Sequence, residues 1–200
     1  MTPTDQRALA TRLASDDPER ALTVARGIKD PWFARQALAH VAMFCPEGKF
    51  DHVIEESFRV FGSADDPFRV VASAAWPVSA LVGRGRTDTL DALIPELLNQ
   101  AEQIELFASR SEALFLLFQA VFPAGREKWL VVLRALLKAS APLISWRQKR
   151  NLRDAVLIVW NEDVELAEEI ISHLEDGKLK RQIEIRIKNS ELWTPRRFVS

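Results

Sequence analysis

Apolar residues recur at spacings of three and four along most of the chain, the signature of helices that bury one face. In the stretch 21–28, Ala21, Val24, Ala25 and Ile28 share one such face. Phe33, Ala37, Leu38, Val41 and Ala42 form a second face directly afterwards. The turn Lys29-Asp30-Pro31 separates the two. Asp suits the position before a helix because its carboxylate accepts from the free N–H groups of the first turn. Pro suits the first helical position, where its missing N–H is not needed. Asp17-Pro18 opens the preceding helix in the same way, and Pro46-Glu47-Gly48 closes the hairpin.

This unit returns near the other end. DPERALTVARGIKDPWFARQAL, starting at Asp17, aligns without a gap with DVELAEEIISHLEDGKLKRQIE, starting at Asp163. The alignment pairs Ala21 with Ala167, Ile28 with Leu174, Asp30 with Asp176, Arg35 with Arg181 and Gln36 with Gln182. Between the copies the pattern is looser. It predicts helices over 53–61 and 68–81, joined by a turn from Gly62 to Pro67. It then predicts helices over 89–100 and on to Phe122, and over 127–139 and on to Trp160. A short helix over 5–14 leads the array. Pro77 and Pro95 fall inside helical patterns, where Pro removes a backbone bond and predicts a kink or a break.

These readings predict an all-α, right-handed α-solenoid of about five stacked antiparallel helical hairpins. The units run roughly over 17–45, 49–82, 88–122, 126–160 and 163–190, with 4–14 as a cap helix, in a single domain covering 1–200. Ile28-Lys29-Asp30 with Arg35, Ala37, Leu38 and Ala42, and Leu174-Glu175-Asp176 with Arg181, resemble the HEAT-type repeat. That family pairs a helix-ending Leu-x-Asp with an Arg early in the second helix. Arg69, Arg110 and Arg153 are approximate counterparts in the middle units. The resemblance implies a scaffold or recognition role and no reaction. We read Asp30, Arg35, Asp176 and Arg181 as residues for capping and repeat register rather than as a binding ladder.

Composition narrows the class further. Of 200 residues, 48% are hydrophobic and 28% charged, the balance of an ordinary globular protein. Only 7 Gly occur, which disfavours sandwiches, barrels and Rossmann units. The formal net charge of −1 gives no whole-molecule attraction to nucleic acid or anionic membrane. Cys45 is the one cysteine, so no disulfide can form within the chain. The polar start and the short apolar runs predict a cytoplasmic protein with no membrane partner.

Candidate chemistry is thin, and no cofactor is expected. His52, Glu55 and Glu56 share a helix face, but a carboxylate metal site draws ligands from several helices. His40 and Cys45 are close in sequence, yet a helix C-terminus disfavours a thiolate, so Cys45 reads as a small buried hydrophobe. Gly83-Arg84-Gly85 lies between helices and reads as a C-cap rather than a phosphate loop. Of the six Trp, most are expected in the core, with Trp32 and Trp193 beside polar turns at the surface.

Charge is arranged in blocks. Residues 126–153 carry eight basic and one acidic side chain, 154–176 eight acidic and no basic, and 177–200 seven basic and two acidic. One reading is a basic surface at Arg147, Lys149, Arg150 and Arg153 that binds nucleic acid. The preferred reading is pairing between blocks across the stack. The function expected is therefore a non-enzymatic scaffold or a protein- or peptide-binding module. Trp32, Arg147, Lys149, Arg150, Arg153 and Trp193 are its candidate contacts, nucleic acid is the alternative partner, and self-association through a terminal hairpin is a further possibility.

Overall fold

The computed structural model describes residues 1–62 and 65–199. Among them are eleven α-helices and no strand. They are α1 (Pro3–Leu13), α2 (Pro18–Arg26), α3 (Pro31–Ala42), α4 (Glu47–Arg59), α5 (Pro67–Gly83), α6 (Leu90–Glu102), α7 (Phe107–Val121), α8 (Arg126–Ser140), α9 (Trp146–Trp160), α10 (Val164–Ser172) and α11 (Lys178–Lys188). The expected turn from Gly62 to Pro67 includes Ser63 and Ala64, which lie outside the described residues.

Helix starts follow local chemistry. Asp17, Asp30, Asp66 and Asp163 each accept an N–H from the first turn of α2, α3, α5 and α10. Thr2 and Ser145 open α1 and α9 with reciprocal caps involving Asp5 and Gln148. Asp17 and Asp163, aligned in sequence, have nearly the same backbone: φ −146° and ψ 76° against φ −141° and ψ 81°. Asp176 differs from its counterpart Asp30. It precedes Gly177, which begins α11 without a side-chain cap, and it pairs with Lys180 at 3.0 Å.

Two features depart from the periodicity. Pro77 and Pro95 lie inside the unbroken helices α5 and α6. α5 is held between α3 and α7, and that packing offsets the backbone bond a proline removes. Gly48 lies in the first turn of α4 rather than closing a loop, with Pro46 just before the helix. Gly85 has φ 72°, and the bonds from Gly85 N–H to Val82 O and Arg86 N–H to Leu81 O make a left-handed cap on α5.

The odd-numbered helices pack side by side in chain order: α1 on α3, α3 on α5, α5 on α7, α7 on α9 and α9 on α11. Each even-numbered helix lies against this row, and α10 and α11 both pack on α9. Packing explains the residue patterns. α2 and α10 bury one stripe, Ala21, Leu22 and Ala25 or Ala167, Ile170 and Ile171. α5, α7 and α9, with neighbours on both sides, bury almost continuous runs, such as 113–115, 117–121 and 154–159. Ala72, Ser73, Ala74 and Ala75 keep α5 thin enough for close approach.

Ion pairs between helices fall at more than one separation, with Arg26–Glu56 and Lys49–Glu19 joining residues 30 apart. Arg69–Asp30, Arg126–Asp163, Lys128–Asp91 and Arg150–Glu112 join residues 37 to 39 apart. Each links one pair of helices to the next.

Candidate functional site

After α11 the chain turns back on itself. Ser190 adopts φ 56°, and Ser190 N–H to Ile187 O and Glu191 N–H to Arg186 O close the helix in the same left-handed form as Gly85. The irregular segment that follows crosses one face of the odd-numbered row. The Asn161 amide at the end of α9 donates to Trp193 O at 3.0 Å. The Arg196 N–H donates to Gln119 Oε1 on α7 at 3.1 Å. Phe198 packs edge-on against Trp76 of α5, with ring centroids 5.0 Å apart, and the Arg196 guanidinium lies 5.5 Å from the Trp76 ring. Phe198 is only 7% exposed, although only Val199 follows it among the described residues.

The spacing fits an extended chain. Trp193 to Phe198 spans at most about 17 Å at roughly 3.3 Å per residue. Crossing from α9 to α5 takes two interhelical steps of about 8–10 Å each. The segment therefore runs across the helices rather than along one of them.

Open space flanks this segment on both sides. A cleft of about 650 Å³ beyond Phe198 is lined by Arg7 of α1, Gln36 and His40 of α3, and Trp76. Burial lowers the His40 pKa. A second cleft of about 630 Å³, beside Trp193, is lined by Glu112, Leu116, Arg150 and Arg153. A third, of about 800 Å³, lies at the start of α9 between Trp146, Lys149, Lys178 and Gln182.

The structure brings some of the candidate contacts together. Arg150 and Arg153 line the same cleft as Trp193, which is 40% exposed. Trp32 is half-buried, stacked with Phe68 at 6.4 Å and edge-on to Trp76 at 6.2 Å, so it supports the shelf on which Phe198 rests. Arg147 and Lys149 are exposed, and Arg147 lies over Trp146. Trp146, expected among the core tryptophans, is 66% exposed, whereas Trp129 is fully buried against Phe118 and Phe122.

The charge blocks pair only in part. Arg126 meets Asp163 at 2.8 Å, joining the first basic block to the acidic one. Arg153 pairs with the buried Asp154 at 2.7 Å. Arg150 instead turns back to Glu112 at 2.6 Å and enters an interior polar network. Asn151 bonds Ser111 and Glu112 there, and Ser111 bonds Ser140. This network of α7, α8 and α9 leaves no periodic trace in the sequence.

Arg35 does not pair with Asp30. It is 2% exposed and donates to Ser57 O, Phe58 O, Val70 O and Ser73 Oγ at 2.6 to 3.1 Å, with the rings of Phe58 and Phe61 beside it. Burial draws its pKa down to about 9, which leaves it charged at neutral pH. Arg84 holds the Met43 and Cys45 carbonyls just after α3, and Arg110 those of Glu102, the last residue of α6, and Ile104 beyond it. The recurring role of these arginines is thus to satisfy the free carbonyls at helix C-termini. Arg181, aligned with Arg35, is exposed on the last helix.

The remaining motifs are accounted for structurally. Glu55 and Glu56 are engaged by Arg59 and Arg26, and His52 is exposed. Among the described residues no group of three or more His, Cys, Asp or Glu is placed to hold a metal ion. Cys45 is buried, and burial raises its thiol pKa. Among the described residues no helix is long and apolar enough to cross a membrane.

Fold and site together define an all-α, multi-helix protein whose helix–helix packing is that of helical-repeat or helical-bundle proteins. No protein-family model matches the chain, and no match was found among curated proteins or solved structures.

Proposed function

We propose that the chain is a non-enzymatic peptide-binding module, a right-handed HEAT-like solenoid spanning 1–200 whose odd-numbered helices form the binding face. The observation that carries this reading is the docking of residues 192–199 across α9, α7 and α5 through main-chain hydrogen bonds and an aromatic anchor. A surface that already holds one extended segment has the donors, acceptors and aromatic shelf to hold another. The repeat assignment draws support from the matched caps at Asp17 and Asp163.

The test is photo-cross-linking inside the protein's own cells. A cross-linking amino acid at His40 or Leu116, on the proposed face, is expected to capture a partner. The same group at Thr23, exposed on α2, is expected to capture none. Capture from Thr23 alone would overturn the reading.

A second reading, nucleic-acid binding, rests on Trp146, Arg147 and Lys149, since Arg150 and Arg153 already hold Glu112 and Asp154. Phosphate contacts through so few cations give weak binding with a shallow salt dependence, so low salt is where such binding is detected. Absence of binding to a mixed-sequence duplex at low salt would remove this reading.

A further inference from the structure

We propose that residues 192–199 are a displaceable, built-in occupant of the odd-helix face, and that the partner segment they exclude is an extended peptide of the same chemistry. That chemistry is an arginine with an aromatic residue two positions on, as in Arg196 and Phe198, on an extended backbone. The inference rests on the peptide-binding reading above and adds both the ligand class and its control.

Three observations carry it. First, the face reads the segment's main chain through side-chain amides: Asn161 donates to the Trp193 carbonyl and Gln119 accepts from the Arg196 N–H. Amides of this kind recognise any extended backbone and do not require covalent attachment. Second, Trp76 offers one indole to two groups at once, the Phe198 ring at 5.0 Å and the Arg196 guanidinium at 5.5 Å. An aromatic shelf of this kind selects a cation and an aromatic side chain together. Third, the hold is local. Phe198 and Val199 are buried, but Leu192, Trp193, Thr194, Arg196 and Arg197 remain exposed. Two main-chain bonds and one anchor must order eight residues, so little net binding free energy is left to keep the segment in place. Attachment to the chain compensates by giving the segment an effective concentration on the order of millimolar. A free peptide competes only when it binds better or when the internal segment is weakened.

The test uses the full chain. A fluorescent peptide with the sequence of residues 191–200 is titrated, with anisotropy as the readout, into the parent protein and into Arg196→Ala/Phe198→Ala. Both substitutions lie in the irregular tail outside every helix, and circular dichroism checks that the helices persist. The variant is expected to bind the peptide at least tenfold more tightly than the parent, and a scrambled peptide is expected not to bind. Adding Gln119→Ala to the variant is expected to weaken binding, which links the effect to the face. Equal binding to parent and variant would overturn the claim of a competing internal segment while leaving the peptide-binding reading intact. Binding to neither would overturn the assignment of the segment as a groove ligand, and the cross-linking at His40 and Leu116 would then decide the broader reading by itself.

Discussion

Arg35 and Arg181, aligned in the sequence, occupy opposite environments, one buried and one exposed. The planar guanidinium of Arg35 reaches carbonyls of α4 and α5 in several directions, which a single ammonium does not reproduce. Arg35→Lys is expected to cost about 2–3 kcal/mol, and Arg181→Lys less than about 0.5 kcal/mol, measured by urea unfolding. Equal effects would remove the carbonyl-holding role. At Asp163 the Leu166 N–H, and after it Arg126, hold the carboxyl below its ordinary pKa. A depressed pKa of this kind stabilises the fold above the unfolded value, near about pH 4, and the contribution is lost as pH falls through the folded pKa. Asp163→Asn keeps a capping oxygen and loses the ion pair. Thermal melts are expected to show the variant less stable than the parent at neutral pH, with the two converging in strong acid. The caps at Asp17 and Asp30 were legible in the sequence because each depends on residues within one turn, whereas the cap read at Asp176 does not form, since Gly177 begins α11. The arginine contacts were not legible, since Arg35 bonds residues 22 to 38 positions away.

At the scale of the element, prolines mark helix boundaries at the first position, as at Pro18, Pro31 and Pro67, but not inside a helix, as at Pro77 and Pro95. Gly85 needs its positive φ, and a Cβ there would meet nothing within 4 Å. Gly85→Ala is therefore expected to cost about 1–2 kcal/mol from the backbone alone. Gly48 also has open space around it but sits inside α4, so Gly48→Ala is expected to stabilise by about 0.5–1 kcal/mol. Denaturant midpoints of the two variants test the pair, and shifts of the same sign would contradict it. Periodicity located the helices well because three- and four-residue spacing is local. It predicted a kink or a break at Pro77 and Pro95, and no break occurs at either, because neighbouring helices, invisible in the pattern, hold α5 and α6 together. It also gave no sign that Trp146 stands in solvent, because a tryptophan at a helix start reads the same whether or not a neighbour covers it.

At the scale of the whole molecule, an all-α array of packed helices was readable from the periodicity, but the feature that defines the site was not. Arg196 meets Gln119 across 77 positions, and nothing in a tail reading Leu-Trp-Thr-Pro-Arg-Arg-Phe-Val states where it docks. Of the residues singled out from sequence, Trp193, Arg150 and Arg153 line one cleft, Lys149, Arg150 and Arg153 line another, Trp32 backs the aromatic shelf, and Arg147 lies on exposed surface. Gln119, Asn161, Trp76 and Phe198, which make the docking contacts, carry no motif of their own. The most direct test of the docking face is chemical-shift mapping of isotope-labelled Arg196→Ala/Phe198→Ala protein as the 191–200 peptide is added. Shifts are expected at the Gln119 and Asn161 side-chain amides and the Trp76 indole N–H. Shifts confined to α2, α4, α8 and α10, or none with excess peptide, would contradict the assignment of the odd-numbered helices as a peptide-binding face.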